Sequence, residues 1–204
     1  MNDAVSSRVF LGVPTVLTAR QQPYLEQWLG WLKDQNLDVV RLERGAYGQD
    51  PWRTLKGLLS QADGVVLLGF RQLDARTATW RPHTKEETHS TDWWTSPWLH
   101  VEAGMAVMSG LPLLVAADEG VEEGVFNPKV RDNQVHGTAL SSPGKVGMEW
   151  LELVQRRWML RKRSSRSLPD SGLADDGGVL LLAPLGHPGL ILHRDDLFAL
   201  GDEF

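Results

Sequence analysis

TSPWLHVEAGMAVMSGLPLLV, residues 95–115, decides how this chain folds. Ser96 stands where a helix N-cap belongs, and Pro97 takes the first helical position, where a missing N–H is no loss. Gly110 ends the helix, since glycine adopts the left-handed turn that follows a last helical residue. LPLLVAAD, residues 111–118, is then a continuous apolar run of strand length. Such a run, without alternation, marks a strand buried on both faces, as central parallel strands are. One carboxylate interrupts the apolar helix: Glu102, one turn after Trp98. An acid in that position needs a reason.

Upstream of the helix, GVVLLGF at 64–70 has the same strand character, so the two runs and the helix make a parallel crossover. RVFLGVP, 8–14, is a further buried strand, ended by Gly12 and Pro14. After Pro23, YLEQWLGWLKDQ places Leu25, Trp28, Leu29 and Leu32 on one helical face. DVVRL, 38–42, is the next strand, and QDPWRTLKGLLSQAD, 49–63, the next helix. Asp50 is its expected N-cap and Pro51 its first residue, with Leu55, Leu58 and Leu59 as the buried stripe. Residues 71–95 read as a polar loop, 119–146 as irregular, and 147–162 as a long helix with Trp150, Leu151, Val154 and Trp158 on one side. The order β-α-β-α-β-α-β, followed by a loop and a helix, implies an α/β domain over 1–162: a parallel sheet with helices on both faces.

RSSRSLPDSGLADDGG, 163–178, reads as a linker, and 179–204 holds two apolar runs around a Gly-Pro turn, a hairpin-like C-terminal appendage. That appendage is too short to stand alone, so it is expected to dock on the body, on another copy in a homo-oligomer, or on a partner protein.

Composition narrows the function classes. A net charge of −5 argues against binding nucleic acid by overall electrostatics. RRWMLRKRSSR, 156–166, carries six basic side chains, and at helical spacing it reads as a solvated face. No run approaches the roughly 20 apolar residues of a membrane span, and MNDAVSSRVFLG lacks the pattern of a signal peptide. The absence of cysteine excludes disulfides, thiolate catalysis and Cys-based zinc sites, and suits a cytoplasmic protein. Neither a P-loop, a G-x-G-x-x-G turn nor a G-x-S-x-G elbow is present. HTKEETH, 83–89, matches no zinc-helix ordering, so no metal is expected.

Open parallel sheets bind ligands outside the carboxyl ends of their strands. Gly12, Pro14 and Thr15 follow the first strand, Gly45 and Tyr47 the second, Phe70 and Arg71 the third. The helix carrying Trp98 and Glu102 starts at that same edge, so all of these border one crevice with the acid. A lone carboxylate beside an aromatic wall suits cleavage of an N-glycosidic bond, whose transition state is an oxocarbenium-like ribosyl cation. The carboxylate can stabilise that cation or attack the anomeric carbon. The plainer reading is that Glu102 merely complements the helix dipole and Trp98 belongs to the core.

SPWLHVE, Ser96 to Glu102, resembles the S-x-W-x-x-x-E signature of TIR domains that hydrolyse or cyclise NAD. EAGMAVMSGLPLLV is similar to the E-x-G-x-A…G-x-P run shared by bacterial TIR-like nucleotide-binding proteins and nucleoside 2-deoxyribosyltransferases, and VFLGVP resembles their first strand. The similarity spans about residues 8–117. It implies a flavodoxin-like sheet, Glu102 as the catalytic carboxylate, and Ser96 and Trp98 at the loop–helix junction beside it. It also implies that PTVLT contacts ribose or phosphate, that ERGAYGQDPW closes over the nucleotide, and that activity accompanies self-assembly. The further acidic residues of deoxyribosyltransferases have no counterpart here. Three functions follow: NAD glycohydrolase or cyclase; nucleoside or nucleotide N-glycosidase of the deoxyribosyltransferase kind; or a non-catalytic nucleotide-binding or assembly module. In each the nucleotide is substrate or ligand, and no resident cofactor is expected. The loop 71–95 is either a lid or a partner surface.

Overall fold

The computed structural model describes residues 6–42, 50–90 and 93–166. Its centre is a five-stranded sheet built from β1 (Arg8–Gly12), β2 (Asp38–Val40), β3 (Gly64–Gly69), β8 (Leu113–Ala117) and β9 (Val135–Ala139). Every pairing is parallel and the spatial order is β2-β1-β3-β8-β9. Counted along the sheet strands alone, that is the flavodoxin-like order. Four helices connect and cover it: α1 (Gln22–Asp34), α2 (Pro51–Ser60), α3 (Pro97–Met108) and α4 (Gly144–Arg166).

The two-residue repeat of a strand sorts the core into two layers. Val9, Leu11, Val66, Leu68 and Leu114 pack with Leu25, Trp28 and Leu32 of α1 and with Trp150, Leu151 and Val154 of α4. Phe10, Val65, Leu67, Leu113 and Val115 face the other way, onto Leu55 and Leu59 of α2 and Leu99, Ala103 and Ala106 of α3. Trp28 and Trp150 are fully buried, and each indole finds an acceptor: Leu140 O at 2.7 Å and Pro112 O at 3.0 Å. Truncating either to alanine costs on the order of 3–5 kcal/mol.

The expected helix starts and stops hold in most places. Asp50 caps α2 by accepting the Arg53 N–H at 2.9 Å. Gly110 follows α3 with φ +63°, the left-handed region that glycine enters without a Cβ clash. Pro23 lies inside the first turn of α1, which begins at Gln22, earlier than its apolar stripe suggests. Ser96 stands at the N-cap of α3 with extended backbone, but its side chain makes no capping bond.

Three stretches differ from expectation. Residues 135–139, within the segment read as irregular, form the edge strand β9. Only Val135 of that strand is buried, so no apolar run announced it; its pairing with β8 does the organising. The polar loop 71–95 folds back on itself through two short antiparallel ladders, β4 (Leu73–Asp74) with β7 (Trp93–Trp94) and β5 (Thr79–Trp80) with β6 (Thr88–His89). Trp80 stacks on Trp94 with ring centroids 5.3 Å apart. Finally, α4 begins at Gly144 and continues to Arg166, so the first residues of the expected linker are helical. The remainder of 163–178 and all of 179–204 lie outside the described residues.

The basic end of α4 is more than a solvated face. Arg157 donates to Gly110 O and Ser109 O, meeting the carbonyls left open at the C-terminus of α3. Arg161 donates to Gln61 O past the end of α2 and pairs with Asp63 at 2.7 Å. Asp63 is fully buried and also accepts the Arg8 N–H. These contacts tie α2, α3 and α4 together at the amino ends of the strands. No helix among the described residues is long and apolar enough to cross a membrane.

Candidate active site

The site is built where β1 ends and α3 begins. Glu102 is the fourth residue after Trp98, so both lie on one helical face, and Glu102 shares the buried stripe with Leu99, Ala103 and Ala106. Its side chain crosses to β1 and fills the space beside Gly12. A Cβ on Gly12 would stand 2.1 Å from Glu102 Oε2 and 2.5 Å from Leu67 Cδ2, so any side chain there would displace the acid from this position.

Glu102 is 4% exposed, and its Oε2 has no hydrogen-bond partner among the described residues. Burial alone pushes its carboxyl pKa from the ordinary range up to about 8. A glutamate kept for helix stability would be hydrogen-bonded to the free N–H groups of the first turn. Glu102 lies a turn deeper and carries an uncompensated desolvation cost instead, the pattern found at functional carboxyls.

The acid floors a pocket of about 240 Å³ lined by Val13, Pro14, Thr15, Ser96, Trp98 and Leu99. The structure thus gathers Gly12, Pro14, Thr15, Ser96, Trp98 and Glu102 at one point. Phe70 is elsewhere. It is fully buried in the layer shared with α1 and α4, on the opposite side of the sheet from Glu102. Arg71 lines a different hollow, where its guanidinium donates to Glu119 O and covers the ring of Trp93. Gly45 and Tyr47 lie outside the described residues.

Trp52, the last residue of the loop ERGAYGQDPW, and Glu123 are not among the expected site residues, yet both contribute here. Trp52, in the first turn of α2, is 55% exposed and packs against Trp98 with centroids 5.2 Å apart and planes at 43°. Its position just after Pro51, at the carboxyl edge of the sheet, was the available signal. Glu123 reaches back from beyond β8 to hold the loop–helix junction. Its Oε1 accepts the Thr95 N–H at 3.1 Å and lies 3.4 Å from His100 Nε2. Burial pushes the Glu123 carboxyl up, but the hydrogen bonds from His100 and Thr95 outweigh it and hold its pKa below the usual range. The junction therefore rests on a paired carboxylate, while the pocket contains an acid whose Oε2 has no partner among the described residues and whose pKa burial raises to about 8. An acid titrating near working pH can give or take a proton with little penalty. Among the described residues no cluster of three or more His, Cys, Asp or Glu is placed to hold a metal.

No protein family description matches the chain, and no characterised protein is similar to it in sequence. Solved structures resemble it loosely. The CMP N-glycosidase BcmB of Clostridium botulinum is 14% identical at a TM-score of 0.41, over 74% of this chain and 97% of its own. RosB, with bound 8-demethyl-8-formylriboflavin-5'-phosphate, is 9% identical at a TM-score of 0.39, over 98% and 99%. The constitutive lysine decarboxylase of E. coli is 9% identical at a TM-score of 0.36, over 78% of this chain and 18% of its own.

Proposed function

We propose that the chain is an N-glycosidase acting on a nucleotide or nucleoside, with Glu102 as its catalytic carboxyl. The observation that carries this is the buried Glu102 carboxyl at the base of a pocket walled by Trp98, its Oε2 without a partner among the described residues. In the reaction the bond between the base nitrogen and the anomeric carbon breaks, and its electron pair leaves with the base. The ionised Glu102 either stabilises the ribosyl cation or forms an ester with the anomeric carbon, which water then hydrolyses. A bound cationic or hydroxyl-rich substrate favours the ionised form of the acid, lowering its pKa on binding. Trp98 and Trp52 offer a ring for the base to stack on, worth about 1–3 kcal/mol.

NAD is the first substrate to test, because SPWLHVE resembles the signature of NAD-cleaving TIR domains. The size of the Glu102 pocket favours a second reading, a nucleoside or mononucleotide. At about 240 Å³ it falls below the roughly 300–1,000 Å³ of ordinary small-molecule sites. The deciding experiment follows base release from NAD and from a nucleoside and nucleotide panel, at high protein concentration, beside Glu102→Gln. Release by the parent alone supports the proposal, and the substrate consumed chooses between the readings. No release at any concentration, with equal nucleotide binding by both proteins, would make the chain a binding module.

A further inference from the structure

A second hollow, of about 480 Å³, opens at the same edge of the sheet and shares no lining residue with the Glu102 pocket. It stands among the ends of β1, β3 and β8, and its volume lies within the usual range of small-molecule sites. Its floor is fixed in advance. Gln21, 7% exposed, donates to Arg71 O and to Asp118 Oδ2, both at 3.1 Å, and accepts the Thr18 N–H at 3.0 Å. Asp118 Oδ2 also accepts the Arg71 N–H at 2.9 Å, so this carboxylate oxygen is already engaged by two donors.

The walls are cationic and aromatic. Arg71 is held in place by Glu119 O and lies over Trp93, with its guanidinium carbon 5.1 Å from the ring centroid. Only two of the five N–H bonds of a guanidinium are accounted for by that carbonyl. Arg20 makes no hydrogen bond or ion pair among the described residues, and Tyr24, 37% exposed, lines the same hollow. A guanidinium fork matches phosphate oxygens in pairs, and one pinned beforehand loses little freedom on binding.

We infer that this hollow is a phosphate site, which takes a phosphate monoester or diphosphate attached to a planar ring. The phosphate lies between Arg20 and Arg71, and the ring lies against Tyr24, since Arg71 and Arg76 already lie over the ring of Trp93. The inference does not depend on chemistry at Glu102. The test is calorimetric titration of the full chain carrying Glu102→Gln, which removes turnover, with AMP, adenosine and inorganic pyrophosphate. AMP and pyrophosphate are expected to bind more tightly than adenosine, with an affinity that falls as salt rises. Adding Arg20→Gln, at an exposed position outside the core, weakens both phosphates roughly tenfold. Adding Trp98→Ala instead leaves pyrophosphate binding unchanged. AMP affinity equal to that of adenosine, or phosphate affinity unmoved by Arg20→Gln, overturns the inference. Loss of base release in the parent protein is a separate result and bears only on Glu102.

Discussion

Gly12 and Glu102 share one space: the carboxylate oxygen of the acid stands 2.1 Å from where a β-carbon on the glycine would be. The end of β1 and the second turn of α3 are therefore fitted to each other through a single missing side chain. Gly12→Ala is expected to displace the acid and strain Leu67, destabilising the fold by about 1–3 kcal/mol and abolishing base release. Glu102→Ala makes room for part of the added methyl, so the double variant should be more stable than the sum of the two changes. Urea melts of the four proteins read the coupling; strict additivity would show that the two residues are not in contact.

Stability should depend on pH through Glu102. Its folded pKa, about 8, is raised above the ordinary 4.5. Between those values the folded protein keeps a proton that the unfolded chain has released, so stability falls as pH rises through this window. The full slope is about 1.4 kcal/mol per pH unit, flattening above the folded pKa. Glu102→Gln removes the effect, so the variant should gain on the parent between pH 5 and pH 8. Parallel melting curves for both proteins across that range would refute the perturbed acid.

The same titration sets the expected rate profile. If Glu102 acts as a carboxylate, base release at low substrate rises with pH and levels near the folded pKa, about 8. A rate that falls across that pH range would instead make the protonated acid the active form, donating to the leaving base.

Trp52 sits on the open side of the tryptophan pair, more than half exposed, so its removal should cost little folding energy. Trp52→Ala is expected to raise KM roughly fivefold to tenfold with kcat nearly unchanged, as the loss of a stacking surface would. A fall in kcat with KM unchanged would place Trp52 in the chemical step instead.

Arg161 reaches the buried Asp63 carboxylate from a side chain that is still 45% exposed. Arg161→Ala leaves that charge with the Arg8 N–H and should destabilise the fold by about 2–3 kcal/mol, short of what a fully enclosed pair loses. Arg161→Lys should recover part of this. Chemical denaturation measures both, and an unchanged midpoint for the alanine variant would show the pair to be ornamental.

Much of this architecture is legible along the chain because β1, β3 and β8 are buried on both faces and read as unbroken apolar runs. The caps and prolines of α2 and α3 add to that. β9 is not legible, since an edge strand takes its order from its neighbour rather than from its own side chains. The site divides in the same way. Glu102, Trp98 and Ser96 come from one contiguous segment and could be read together. Phe70 follows β3 and so looked like a site residue, yet it continues the alternation of Val66 and Leu68 and must face α1 and α4. Counting by twos along that strand would have placed it in the core. The loop ending in Trp52 can be assigned to the site from its place after the second strand, but the contact of its ring with Trp98, far along the sequence, arises only from the fold.

The cations of α4 fasten the ends of α2 and α3 at the amino edge of the sheet, while Glu102 and its pocket occupy the carboxyl edge. The clamp and the candidate site thus lie at opposite poles of the same strands. Substitutions at residues 13–15 and 96–98 fall far from the clamp, so under the proposed function this pole is where substrate preference would be retuned with least cost to the fastening of the helices.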